Sequence, residues 1–478
     1  MSLTERERNI RSRVGKTLAA IGRVASALRP MPDGPHPYLE GLHKGMEEEV
    51  TLEALSVTGT IPPTLAGRYL RIGPNPVRPP NPKNYHWFTG DGMAHGIRIK
   101  DGKALWYRNR WVRSTAVSQA LGEAPLPGRR GPNEVVNTNI LRLGDRIWAL
   151  SEAGSVPVEM SDTLETIAHN PFGGGLENAF SAHPHIDPHT GEAHAICYRG
   201  GIMDRVWHVV LDRNAQVLRE EAIKVAHGPS IHDCQITPHH VLVFDLPITF
   251  SLKAMLGGRN FPYRWNAQHK PRVGLLGRDA PGQSIIWYDV EPCYIFHTGN
   301  AFEDEQGRTQ VDVVVHDHLF DRITNGPHES KTSLERWTFD AASRSILRTV
   351  LDAQGQEFPR YDERRTGTPY RYLYTVAMDN DQAGLINDTR LIKQDLVAGS
   401  KQVIDFGPAR HPGEFVFVPA HAQAAEDEGW LIGLVVDANK APTDLMILDA
   451  QNFESPPQAI IHLPHHIPPG FHGNWVED

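Results

Sequence analysis

Four histidines in this chain share one kind of setting, a short polar turn at the edge of an apolar run, and they lie too far apart to meet locally. They are His183 in Ser181-Ala182-His183-Pro184, His232 in Ser230-Ile231-His232-Asp233, His297 in Ile295-Phe296-His297-Thr298 and His472 in Gly470-Phe471-His472-Gly473. Separations of 49, 65 and 175 residues exclude any helix or hairpin motif. If they meet, the fold must return to its centre once per structural unit, and a β-propeller does this by sending the inner strand of each blade to the central channel.

The remaining pattern agrees with an all-β chain. Short apolar runs recur between turns at Ala104–Val112, Arg146–Leu150, Val206–Leu211, Val241–Leu246, Val311–Val315, Leu431–Val436 and Leu445–Leu448, each of strand length. The 42 glycines and 37 prolines supply the tight turns between them. No fixed-period repeat marks the blades, so their number is not readable from spacing. Two long inserts, Thr249–Gln283 and Gln354–Arg371, read as loops covering one face, where a substrate entrance would lie.

Residues 4–29 read as an amphipathic helix, with Ile10, Val14, Leu18, Ile21, Ala25 and Leu28 along one face. Thr4 and Glu7 form a capping box, and Pro30 ends the helix. Residues 1–30 carry seven Arg and Lys against two Glu, a net of +5 on a chain whose total is −9. A basic amphipathic helix of this kind suits a membrane surface, or else docks on its own domain or is simply a frayed extension. The expected organisation is a helix and Pro-rich linker over 1–36 and one catalytic propeller over 37–478.

The acidic balance argues against nucleic acid as a partner. The three cysteines, Cys197, Cys234 and Cys293, cannot build a disulfide framework and fit a reducing compartment, so a cytoplasmic location is expected. No apolar run approaches the length of a membrane span.

Imidazoles suit first-row transition metals, and four neutral ligands leave the charge of a divalent ion uncompensated. Outlying carboxylates that accept the other ring N–H would balance it and fix each ring. Glu152, Glu357 and Glu414 stand in apolar or turn-rich settings that suit this role. Four protein ligands on a six-coordinate ion would leave two positions for dioxygen or water. Taken singly, each of the 25 histidines is more often a surface or hydrogen-bonded residue, and His185, His194, His239 and His240 compete by proximity. A zinc site using Cys234, two residues from His232, is a rival. Asp91, in Gly90-Asp91-Gly92, reads as an ordinary tight turn or, with Glu152, as half of a hydrolase's carboxylate pair.

Several segments together resemble the carotenoid cleavage oxygenases, also called carotenoid/retinal pigment epithelium-type oxygenases, and most of all their bacterial members. They are Arg71-Ile72-Gly73-Pro74-Asn75-Pro76, His86-Trp87-Phe88-Thr89-Gly90-Asp91-Gly92-Met93, Ala182-His183-Pro184, the block from His232 through Asp245-Leu246-Pro247 to Phe250, the His297 segment, Glu357-Phe358-Pro359-Arg360 and Gly470-Phe471-His472-Gly473. The resemblance spans about residues 50–478. It implies a seven-bladed β-propeller with one non-haem Fe(II) per chain on its axis, held by His183, His232, His297 and His472. It further implies that Glu152, Glu357 and Glu414 pair with His232, His297 and His472, leaving His183 without such a partner. Thr138 matches a position that crowds the open side of the iron, and Phe88 an aromatic beside the substrate tunnel.

The reaction so implied is oxidative cleavage of a conjugated C=C bond by O2 into two carbonyl products, on an apolar polyene that partitions into membranes. The basic helix would then hold the tunnel mouth at a lipid surface. Stilbenoid-cleaving relatives look to need a tyrosine and a lysine, and here Tyr107-Arg108-Asn109-Arg110-Trp111 and the segment Leu121–Glu134 show Trp111 and no lysine. Carotenoids or apocarotenoids are therefore favoured over stilbenoids, with a non-cleaving polyene isomerase or binder as a further alternative.

Overall fold

The computed structural model describes residues 21–22, 24–31, 33–131, 133–321, 325–327, 330–439 and 442–478. The helix expected over 4–29 falls mostly outside these, and only its last part, helical up to residue 27, is described.

Among the described residues, strands form seven sheets of four or more strands and one two-stranded hairpin. Each sheet is a blade, and the innermost strands in order round the axis are Gly473–Glu477, Asn139–Leu143, His185–Ile186, Cys234–Ile236, Thr298–Glu303, Gln356–Arg360 and Val416–Pro419. The first blade takes its inner strand from the chain's end, pairing Gly473 with Arg71 and Glu477 with Gly67. The seventh takes its outermost strand, Ser56–Gly59, from the chain's beginning, against Ala459–Leu463. Both ends are thus stitched into neighbouring blades, and the ring closes without a free edge at that seam.

All seven apolar runs read from the sequence are strands of these blades. Their side chains interleave between adjacent blades. Ile97 and Tyr107 of the first blade, for example, share a buried cluster with Ile432, Leu445 and Ile461 of the seventh. Burying each such side chain stabilises the ring by about 1.5–3 kcal/mol.

The two inserts are not the plain loops expected. Thr249–Gln283 contains the helix Leu252–Leu256, the second strand of the hairpin formed by Ile248–Phe250 and Tyr263–Trp265, and a blade strand, Arg272–Gly277. Gln354–Arg371 contains the inner strand of the sixth blade. That strand is hidden in the sequence by Pro359 and by a break in its ladder between Glu357 and Arg360, where Phe358 takes a left-handed φ of 54°. No described helix is long and apolar enough to cross a membrane.

Candidate metal centre and cavity

Every blade places one residue at the start of its inner strand, on the same end of the axis. These are Thr138, His183, His232, His297, Glu357, Glu414 and His472. Glu152 follows the second strand of the second blade.

The four histidines converge. Nε2 of His232 lies 3.0 Å from that of His183 and 3.2 Å from that of His297, which in turn lies 3.1 Å from that of His472. Outlying carboxylates meet the opposite nitrogens. His232 Nδ1 is 3.0 Å from both oxygens of Glu152, His297 Nδ1 is 2.5 Å from Glu357, and His472 Nδ1 is 3.1 Å from Glu414. Among the described residues no carboxylate meets the His183 ring, whose backbone N–H donates to Ser181 Oγ at 3.0 Å.

This arrangement fits a cation. With their Nδ1 protons given to carboxylates, His232, His297 and His472 turn bare Nε2 lone pairs towards one another, and a positive ion between them removes the repulsion. Bonds of about 2.1 Å put nitrogens at right angles about 3.0 Å apart and tetrahedral ones about 3.4 Å apart, so the observed spacings suit right-angled ligands.

Burial would raise the Glu357 carboxyl, but His297 and His316 hold it well below the usual carboxylate range. Glu414 is likewise brought down to about 2, against burial, by Arg360 and His472. Burial and the neighbouring imidazoles hold His183 far below the usual histidine range. For His297 the Glu357 charge overcomes burial and raises it.

The motifs of the sequence build the frame. Gly73 must be glycine because a Cβ there would sit 2.4 Å from Gly470 Cα, and this close approach lets Ile72 exchange backbone hydrogen bonds with Phe471 and His472 at 2.9 and 3.0 Å. Trp87–Thr89 forms a single turn capped by the His86 ring, and it delivers Phe88 to the cavity. Asn137 Nδ2 donates to the carbonyls of Phe88 and Gly90, so its Oδ1 faces Thr138 and accepts that hydroxyl at 3.0 Å.

The other candidates stand elsewhere. Cys234 is buried, its Sγ 3.8 Å from the carbonyls of His183 and His194, and it is not among the four converging groups. His185 pairs with Asp233 at 2.8 Å, His194 with His208 at 3.0 Å, and His239 and His240 with Glu303 at 3.5 Å. Asp91 accepts the N–H of Val77, as a turn residue does, while Glu152 is engaged with His232. Trp111, weighed against stilbenoids, is buried with its indole N–H on Asn75 O, and it does not line the cavity.

That cavity, about 790 Å³, opens onto His232, His297 and His472 beside Thr138. Phe88, Phe261, Phe296, Phe358 and Phe471 wall its inner part. Sequence reasoning did not find Ser151, which lines it and meets Thr138 Oγ1 at 3.1 Å, nor Tyr198 and Tyr263. No sequence signal marked them, since they come from loop and hairpin positions brought together only by the ring.

The family described as RPE65, retinal pigment epithelial membrane protein, matches residues 44–477. A Mycobacterium tuberculosis protein named carotenoid cleavage oxygenase is 40% identical, over 93% of this chain and 98% of its own. The chain belongs to the carotenoid cleavage oxygenase family. Among solved structures, this oxygenase is similar to cobalt-substituted Synechocystis apocarotenoid oxygenase, with a TM-score of 0.82, 27% identity and coverage of 94% and 100% of the two chains. It is also similar to Pseudomonas brassicacearum lignostilbene dioxygenase, with a TM-score of 0.83, 25% identity and the same coverage. The oxygenase thus has the seven-bladed fold, with four histidines that could hold a metal where its blades converge.

Proposed function

We propose that the protein is a non-haem Fe(II) dioxygenase that cleaves a conjugated C=C bond of a carotenoid or apocarotenoid. The observation that carries this reading is the convergence of four imidazole Nε2 atoms at the head of an aromatic-walled cavity. His183, His232, His297 and His472 would hold one iron, with Glu152, Glu357 and Glu414 orienting three of the rings. Bound there, ferrous iron supplies the capacity to activate O2. Both oxygen atoms end in the two new carbonyls, so no reductant is consumed.

The chain's own part is positioning. Flat aromatic walls fit a rigid polyene and exclude water, and they fix which double bond faces the histidines. Thr138, its hydroxyl bound to Asn137, stands on the open side and narrows the approach. Residues 37–478 act as the catalytic unit.

The stilbenoid reading draws on the lignostilbene dioxygenase likeness and on two tyrosines in the cavity wall. No lysine is among the described residues lining it. The test is a mass spectrum of products after the Fe(II)-loaded protein meets a full-length carotenoid, an apocarotenal and a hydroxystilbene in air. Shortened carbonyls from a polyene support the proposal. Cleavage of the stilbene alone replaces the substrate, and no cleavage points to a non-cleaving polyene isomerase or binder.

A further inference from the structure

The outer end of the cavity is unlike its inner end. Residues 21–22, 24–29, 81–84 and 252–260 meet there, with Lys83 Nζ donating to Ala27 O at 3.2 Å and Asn84 Nδ2 to Asn260 Oδ1 at 3.0 Å. Among the described residues, three arginines gather at this end. Arg29 donates to the carbonyls of Lys83 and Gly257, and Arg264 to that of Tyr263. Arg259 lines the cavity, half-buried, and no described residue accepts its guanidinium in a hydrogen bond or ion pair. None of the three arginines, nor Lys83, has a carboxylate partner among the described residues. Burial, and then the charges of Arg29 and Arg264, bring Arg259 down to about 10. Beside it Ser26, also in the wall, keeps a buried hydroxyl without a partner.

A half-buried guanidinium crowded by like charge is costly unless an anion meets it. We propose that this outer end binds a carboxylate, and that the enzyme's preferred substrates include polyenes ending in a carboxylic acid. The inference rests on the proposed polyene substrate and names its class. The apolar chain would lie against the phenylalanines while its carboxylate takes a paired hydrogen bond from Arg259 and a further one from Ser26 Oγ. Arg29, Arg264 and Lys83 add attraction without contact. Cleavage balances as before, since O2 gives the two new carbonyls and the carboxylate is unchanged. A lipid phosphate is the other anion to consider, but Arg259 lines the cavity, where the end of a substrate chain reaches it from within.

The test compares an apocarotenoic acid with its methyl ester of equal chain length, bound to the Fe(II)-loaded full chain without oxygen and followed by tryptophan fluorescence. The acid should bind about tenfold more tightly or better, as expected for a charged hydrogen bond, and salt should shrink the difference. Arg259→Gln and Arg259→Met, each checked for folding by circular dichroism, should abolish the preference. Equal binding of acid and ester by the unaltered protein overturns the proposal, as does a preference surviving in both variants. Anionic vesicles form a third arm. If Arg259→Gln releases the protein from them while acid and ester never differed, the cluster serves lipid phosphate and the proposal fails. Cleaved polyenes without acid preference would sink this inference alone, whereas acid preference without any cleavage would sink the dioxygenase reading and leave this site standing.

Discussion

Asp233 accepts both the backbone N–H of Thr298, at 2.9 Å, and its hydroxyl, at 2.7 Å, and so ties the residue after His232 to the residue after His297. The same carboxylate takes the N–H of Cys234 at 2.7 Å and the ring of His185 at 2.8 Å, two residues beyond His183. Three inner strands, each beginning beside one of the four histidines, therefore hang on one buried group. Asp233→Ala would leave these donors unpaired and let the rings drift. Metal affinity, read by competition with a coloured chelator, should fall about tenfold or more, and thermal stability should drop with it. Unchanged affinity and melting temperature would leave Asp233 without a positioning role.

The three glutamates should not be equal. The side chain of Glu357 is 0% exposed and bridges His297 and His316, that of Glu414 is 4% exposed, and that of Glu152 is 15% exposed. Water can replace part of what Glu152 gives, but not what Glu357 gives. Changing each to Gln should weaken metal binding by about 10–100-fold at most, in the order Glu357, Glu414, Glu152. Calorimetric titration of the metal-free variants with Co(II) checks the order, and a larger loss at Glu152 than at Glu357 would contradict it.

The four histidines were legible in the sequence because each stands just ahead of, or at, an inner strand, where an apolar run gives way to a polar turn. The middle strands were legible for the same reason, since residues such as 205–211 and 309–316 are long enough to declare themselves. Inner strands were not. His185–Ile186 has two residues and Cys234–Ile236 three, too short for any period to show, so the blades could not be counted. Glu357 was named as a candidate, but its strand passed for a loop, because Pro359 and the left-handed Phe358 interrupt the pattern. The basic outer end of the cavity left no local trace, as Ser26, Arg29, Lys83 and Arg259 meet only through tertiary packing.

Acid should destabilise the protein partly through His194. Arg278 donates to its Nε2 at 2.7 Å, and its Nδ1–H is then given to His208 at 3.0 Å. Burial, and then the Arg278 charge, lower it from 6.5 to about 3. The folded protein thus keeps His194 neutral while the unfolded chain binds a proton below about pH 6.5. Stability from this group is complete above that pH and is lost as the pH falls towards about 3, at up to about 1.4 kcal/mol per pH unit. Urea unfolding of His194→Gln between about pH 6.5 and pH 4 should show a shallower acid slope than the unaltered protein. Identical slopes would mean that His194 titrates alike in both states.

Phe88 should set where the polyene is cut. Its ring stands edge-on to Phe261, Phe296 and Phe471, with centroids at 5.5, 5.9 and 5.6 Å, and its carbonyl is held by Asn137. It is therefore a fixed wall, held by an aromatic box and by a backbone bond. Phe88→Ala removes that wall while leaving the four converging histidines and their glutamates in place, although the ring also packs edge-on to His86 at 4.9 Å. The stability loss should be below the roughly 3–5 kcal/mol typical of a fully buried phenylalanine, because one side of this ring already faces the cavity. Metal content should match that of the unaltered protein. With the wall gone, a rigid chain can shift by one double bond, so the product mass spectrum should change from one pair of carbonyls to two or more, at a lower turnover. A single unchanged pair, formed with unchanged KM, would show that the stop lies elsewhere along the phenylalanine wall.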